Sequence, residues 1–188
     1  MNNRGSIREK SIVIIGFMGV GKTTVGKLVA KKLYRDFIDI DKVIENSFNI
    51  PILDVFKLVG EQSFREREKE IIKENCTQKL KVISLGGGAY LQEEVRKVTL
   101  ENCIVIFLDI TWELWKERLN IIIDTRPVLQ GKTTEEIEKL FCQRQALYNS
   151  HHSKLETDNL NPDDIADYIV ESLKVAYEIY DQRSYGIK

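Results

Sequence analysis

The sequence predicts an α/β fold in which a parallel sheet of five strands is covered by helices on both faces. Three observations predict it. Short apolar runs rich in β-branched residues alternate with helical stretches from one end of the chain to the other, as expected for strands joined by crossover helices. The first apolar run leads directly into a glycine-rich loop and then a helix. The chain has 188 residues, with neither internal repeats nor low-complexity linkers, which suits a single domain with a sizeable core.

Met1 to Lys10 is polar and is expected to be loosely ordered. Ser11 to Phe17, centred on Ile12-Val13-Ile14-Ile15, reads as the first strand. Thr24 to Leu33 reads as a helix: Val25, Leu28, Val29 and Leu33 fall at helical spacing, and Lys27, Lys31 and Lys32 lie mostly elsewhere on the wheel. Phe37 to Asp39 is a short second strand and Val43 to Phe48 a short helix. Pro51 suits the first turn of a further helix, where its missing N–H costs little. Glu61 to Cys76 is helical and mostly a solvated, salt-bridged face, with Phe64, Ile71 and Ile72 on its apolar side.

Lys81 to Leu85 is the third strand and breaks into Gly86-Gly87-Gly88. Leu91 to Leu100 is a helix and Cys103 to Leu108 the fourth strand. Thr111 reads as an N-cap for a helix carrying Leu114, Trp115, Arg118 and Leu119. Ile121 to Lys132, with Asp124, Arg126, Pro127 and Gly131, has no helical pattern and reads as a mobile lid. Thr134 to Asn149 is helical, and Lys154 to Thr157 is a short last strand. Pro162 opens an amphipathic helix carrying Ile165, Tyr168, Ile169 and Leu173. The domain is expected to span 11–175, with the end of the last helix and a polar tail over 176–188.

Composition narrows the function. The formal net charge is −1 with both signs interspersed, a poor footprint for nucleic acid or anionic membrane. No apolar run approaches the ~20 residues of a membrane span, and the polar N-terminus does not read as a secretory signal. Cys76, Cys103 and Cys142 are odd in number and widely spaced; they fit a reducing cytosol and offer no metal-ligand spacing.

The loop after the first strand carries the most specific chemistry. Gly16-Phe17-Met18-Gly19-Val20-Gly21-Lys22-Thr23 fits the phosphate-binding pattern G-x-x-x-x-G-K-[ST] at every fixed position. A polyphosphate needs several donors converging on one point. Backbone N–H groups supply them if the chain wraps closely, which glycine permits, and the following helix adds its free N–H groups. Gly19, Val20, Gly21, Lys22, Thr23 and Thr24 are the candidate nucleotide cradle. Lys22 would reach the β- and γ-phosphates and the Thr23 hydroxyl would reach magnesium. The competing reading is a glycine turn that binds nothing.

In an open parallel sheet, ligands bind at the carboxyl ends of the strands. Four features converge there: the glycine loop, Asp39 and Asp41 after strand two, Gly86-Gly87-Gly88 after strand three, and the lid segment after strand four. A carboxylate beside phosphates can hold magnesium waters, and a second can accept a hydroxyl proton. Either could instead only cap the next helix, and Asp109, at the end of strand four, competes with Asp39 for the metal side. Arg65, Arg67, Arg118, Arg126 and Arg144 are the nearby basic residues. Their planar fork suits carboxylate or phosphate, although each could lie on a solvated helix face. His151 and His152 are expected to be exposed, and Trp112 and Trp115 to serve packing.

Taken together these residues resemble the shikimate kinases, small members of the nucleoside-monophosphate-kinase-like P-loop proteins. The resemblance runs from about Ser11 to Leu173. It rests on Gly16 to Thr24; Phe37-Ile38-Asp39-Ile40-Asp41; Phe56; Gly60-Glu61-Gln62-Ser63-Phe64-Arg65-Glu66-Arg67-Glu68; Leu85-Gly86-Gly87-Gly88; Arg126-Pro127-Val128-Leu129; and Arg144 with Tyr148. It implies a three-layer α/β/α fold and phosphorylation of the shikimate 3-hydroxyl by ATP with magnesium, in a cytoplasmic monomer.

Roles follow residue by residue. Arg65 and Arg144 would hold the acid, with Gly86, Gly87 and Gly88 forming its pocket and Phe56 and Phe64 walling the ring. Asp41 would orient or deprotonate the attacking hydroxyl. Asp39 and Ser84 would act on the magnesium waters. Arg126 would swing towards the phosphates and Arg118 would pack on adenine. The resemblance demotes Asp109. Thr23, Arg35, Val128 and the segment 146–153 depart from the usual family residues. Two other readings fit the loop alone: a kinase of the same fold acting on another hydroxylated acid or sugar, and a nucleotide-sensing module without transferase activity.

Overall fold

The computed structural model describes residues 6–123 and 127–184. Its five strands are β1 (Ile12–Ile15), β2 (Asp36–Asp39), β3 (Lys81–Ser84), β4 (Ile104–Asp109) and β5 (Ser153–Glu156). They form one sheet in the order β2-β3-β1-β4-β5, every pairing parallel. β1 lies in the middle because all four of its side chains are apolar and buried; a central parallel strand is covered on both faces. β2 and β5, the edges, carry charged residues and have no fully buried position.

The helices are α1 (Lys22–Lys32), α2 (Ile40–Phe48), α3 (Ile52–Cys76), α4 (Glu93–Asn102), α5 (Trp112–Glu117), α6 (Leu119–Ile122), α7 (Thr134–Tyr148) and α8 (Pro162–Ser184). They lie on both sides of the sheet. α1 packs against α8, and α3 against α2 and α4. The chain leaves β1 towards the β2 edge and returns through β3 to β4 on the other side of β1. The crevice opened by that reversal, at the carboxyl ends of β1 and β3, is where such sheets bind ligands.

Several boundaries differ from the sequence reading, each for a local reason. α2 starts at Ile40 because the Asp39 side chain accepts from the Asp41 and Lys42 amides at 3.1 and 3.4 Å, an N-cap. Pro51 precedes α3 rather than lying in its first turn, and α3 is bent at Gly60, whose φ of 76° is not helical. A 3-10 turn, Ala89–Leu91, comes before α4. Within the expected lid, Ile121 and Ile122 belong to α6, and Pro127–Leu129 forms a 3-10 turn with Leu129 fully buried. Thr111 takes the N-cap position without a side-chain capping bond. Tyr168 is exposed rather than part of the core.

Ordered structure begins ahead of Ser11. Ile7–Glu9 form a 3-10 turn, and Lys10 bridges to Lys79. Arg35 holds this segment: its guanidinium donates to the Lys10 and Arg8 carbonyls at 2.7 and 2.6 Å and to the Tyr177 hydroxyl at 3.2 Å. The atypical arginine therefore ties the start of the chain to α8.

Candidate active site

Two cavities meet at the carboxyl ends of β1, β2 and β3. The first, of about 170 Å³, lies over the glycine loop. Gly21 is the N-cap of α1 with φ 102°, a left-handed conformation that a side chain would strain, so the loop turns sharply and aims the first α1 amides at the cavity. Lys22 is buried and donates to the Gly16 and Phe17 carbonyls at 2.8 and 3.0 Å. The Thr23 hydroxyl donates to Asp39 Oδ2 at 2.7 Å, and Asp39 is in register with Ser84 across the β2–β3 pair. Thr23, Thr24, Asp39 and Ser84 all line this cavity. Asp39 thus caps α2 and at the same time lines the cavity over the glycine loop.

The loop is held from behind. Trp115 is fully buried, and its indole N–H donates to the Met18 carbonyl at 2.6 Å. Phe17 packs edge-on against Trp115 and Phe141, with ring centroids 4.9 Å apart in both pairs. The Arg118 guanidinium stands 3.4 Å from the Gly19 and Val20 carbonyls, long contacts that position it beside the loop. The Val20 side chain is buried, so only its backbone can face a phosphate.

The second cavity, of about 350 Å³, is lined by Phe56, Phe64, Arg65, Gly88 and Arg144 among others. The Phe56 and Phe64 rings lie 5.1 Å apart, and the Arg65 guanidinium sits 5.3 Å from the Phe64 ring centre. Arg144 is buried, donates to the Gly87 carbonyl at 3.3 Å and lies 5.8 Å from the Phe17 ring centre. Burial pulls its pKa below the usual arginine value, yet an arginine so placed stays cationic. The Tyr148 hydroxyl also donates to Gly87, at 2.7 Å, and burial pushes its pKa up to about 12. A side chain at these glycines would push the site's own groups aside: a Cβ on Gly86 would stand 2.6 Å from Asp41 Oδ1, and one on Gly88 2.5 Å from an Arg65 nitrogen. Asp41, Met18, Gly86 and Gly87 line both cavities, so Asp41 stands at the boundary.

Glu68 went unrecognised in the sequence. It is 1% exposed, pairs with Arg65 at 2.7 Å and accepts from Gln92 at 3.1 Å. Burial pushes its carboxyl up to about 7, against the pull of Arg65. A signal existed: Glu68 shares one helical stripe with Phe64, Ile71, Ile72 and Asn75, all buried. The overall charge of the run hid it.

Other candidates lie elsewhere. Arg67 pairs with Glu70 at 3.1 Å on the α3 surface. Asp109 binds Gln145 and Lys154, both at 3.1 Å, and lines a separate cavity beside α7 and β5, so it does not compete with Asp39. Arg126 falls outside the described residues. His152 is exposed, but its Nδ1 accepts from the Val105 amide at 3.0 Å and its own amide donates to the Val105 carbonyl at 2.9 Å, which continues the pairing of β4 with β5. In the atypical 146–153 segment, Tyr90 donates its hydroxyl to the Ser150 carbonyl, and His151 Nδ1 lies 2.8 Å from the Tyr148 carbonyl. Among the described residues no three His, Cys, Asp or Glu side chains converge on a metal position. The hydroxyl and carboxylate of Thr23 and Asp39 instead form the sparse oxygen set that suits magnesium beside phosphates.

A phosphate cradle adjoining a cavity with two arginines, on a parallel sheet, defines a phosphotransferase acting on a small molecule. The sequence model of the shikimate kinase family matches residues 18–174. The shikimate kinase of Oceanobacillus iheyensis is 54% identical over 178 residues, covering 95% of this chain and 97% of that one. The solved structure of shikimate kinase from Acinetobacter baumannii in complex with shikimate superposes with a TM-score of 0.83 at 33% identity, covering 89% of this chain and 94% of that one. A gluconokinase from Sinorhizobium meliloti, at 17% identity and a TM-score of 0.55 over 93% of this chain and 97% of that one, shares the fold alone. The chain belongs to the shikimate kinase family.

Proposed function

We propose that this protein transfers the γ-phosphoryl group of ATP to the 3-hydroxyl of shikimate, giving 3-phosphoshikimate and ADP. The observation that carries the reading is the junction of the two cavities at Asp41. A donor phosphate over the loop and an acid held by Arg65 and Arg144 would bring the acceptor hydroxyl between Asp41 and the γ-phosphorus. Asp41 accepts or orients the hydroxyl proton, the hydroxyl oxygen bonds to the γ-phosphorus, and the bond to the β–γ bridging oxygen breaks. Such transfer depends on positioning and charge neutralisation more than on covalent chemistry.

Lys22 leaves its loop carbonyls to meet the β- and γ-phosphates. Gly19, Val20, Gly21, Thr23 and Thr24 bind the phosphates through amides and hydroxyls, and Arg118 flanks the base. Magnesium, when bound, neutralises the phosphate charge; Thr23 would hold it, with Asp39 and Ser84 holding its waters. Phe56 and Phe64 wall the ring, and Gly86, Gly87 and Gly88 let it approach the backbone. The segment 121–132 acts as a lid and Arg126 as its phosphate-facing cation; Val128 already lines the acid cavity. The enzyme works in the cytoplasm as a monomer.

A coupled ADP-release assay with shikimate, quinate, gluconate and no acceptor tests this. Shikimate-dependent release that requires magnesium is expected. Release with gluconate alone, or none above the no-acceptor rate, would overturn it.

A further inference from the structure

Glu68 lies at the acid end and takes no part in the transfer step. Charged and polar groups from three elements and the turn ahead of α4 bear on it or on its partner Arg65. Arg65, on its own helix, holds Oε2 at 2.7 Å, and Gln92, just ahead of α4, donates to the same oxygen at 3.1 Å. From α2 comes Asp41: the point above Gly86 that lies 2.6 Å from Asp41 Oδ1 is 3.2 Å from Glu68 Oε1. Glu61 stands 3.8 Å from Arg65 on the solvent side, and Arg144, from α7, repels Arg65 across the cavity. The Arg65 guanidinium is the cation paired with Glu68, and it also faces the cavity.

We propose that Glu68 takes up a proton when the carboxylate of an acid engages Arg65, so that acid binding and protonation of this buried carboxyl are linked. The proposal rests on reading the cavity as an acid site. A buried carboxylate keeps its charge only while a cation compensates it. An incoming carboxylate takes a share of the Arg65 charge and adds a like charge of its own. Glu68 then stands between two carboxylates, the bound acid and Asp41, and a solvent proton neutralises it. The protonated Glu68 becomes a hydrogen-bond donor beside Asp41 instead of a like charge, leaving Asp41 as the carboxylate facing the hydroxyl. The carboxyl is already held at about 7 in the free protein, so a further rise falls within the working pH range.

The sign follows from linkage. A group whose pKa is higher in the complex than in the free protein favours the complex at low pH, so affinity for the acid falls as pH rises through 7 and above. Calorimetric titration of the full chain with shikimate, in phosphate and in Tris at matched pH, reads the proton directly. The expected result is uptake of about half a proton per acid near pH 7.5, with Kd rising about three- to tenfold between pH 6 and pH 9. Glu68→Gln, which keeps an oxygen for Arg65, should bind shikimate with neither proton uptake nor that pH dependence. A binding enthalpy of the unaltered protein that is the same in both buffers would overturn the proposal, whether or not the variant folds. Uptake that persists in Glu68→Gln would assign the proton elsewhere and overturn it too. No shikimate binding at any pH, with a nonhydrolysable ATP analogue still binding, would overturn the acid-site reading itself.

Discussion

The two halves of the active site are built in opposite ways. The phosphate end is mostly local: Gly16 to Thr23 are contiguous, the loop's lysine bonds carbonyls five and six residues back, and the Thr23 hydroxyl bonds Asp39, 16 residues on. The acid end is assembled from distant pieces. Arg65 and Glu68 come from α3, Asp41 from α2, Gly86–Gly88 from the turn after β3, and Arg144 from α7, 57 residues beyond the glycine it bonds. The phosphate end is made largely of backbone and binds what nearly any nucleotide kinase binds. The acid end is made of side chains, two of them buried and charged, and on the proposed reading it is this end that selects the acceptor. Donor recognition is therefore cheap in sequence, and acceptor recognition depends on the packing of the whole domain.

The contrast can be broken at either end. Lys22→Ala should give the largest effect, a loss of about 10²–10³-fold in kcat with the far-ultraviolet spectrum unchanged; near-normal turnover would show that this lysine does not serve the transferred phosphate. Arg65→Ala should raise the shikimate KM by about ten- to a hundredfold, the loss of a charge-assisted bond worth about 1.5–3 kcal/mol, while the ATP KM stays within about twofold. Equal loss of both affinities would mean the two ends are not separable. Trp115→Phe should have the smallest effect and sharpen the boundary. It removes the N–H that satisfies Met18, a residue lining both cavities, so thermal unfolding should show a loss of about 1–2 kcal/mol and both KM values should rise modestly together. A change confined to ATP would place Met18 with the donor half alone.

This division matches what could be read in advance. β1, the glycine loop and α1 were legible because a buried strand, a phosphate cradle and an amphipathic helix each leave a short-range pattern. The five-strand parallel sheet followed from alternation. Asp41 and Gly86–Gly88 were legible from their place at strand ends; Arg65 and Arg144 were singled out from the other arginines only through resemblance, since a single arginine among many has no pattern of its own. Glu68 was hidden because charge in a helix normally means solvent, and only its stripe with Phe64 and Ile71 betrayed burial. Asp39 and Asp109 both ended apolar strands, and pattern could not choose between them. Packing chose, by placing Asp39 on the Thr23 hydroxyl and Asp109 on Gln145 and Lys154. Ile121 and Ile122 read as loop because the helix they close is four residues long, too short to show a period.

Local pattern was enough to read β1, the glycine loop and α1 as a candidate polyphosphate site, because such a site is formed by hydrogen bonds between near neighbours. The tertiary structure alone decided that Trp115 holds the loop from 97 residues away, that Arg65 is matched by a buried carboxylate, and that the two cavities meet at Asp41. These depend on distances between side chains of separate helices, which are fixed only when the core closes and burial sets what each charge costs.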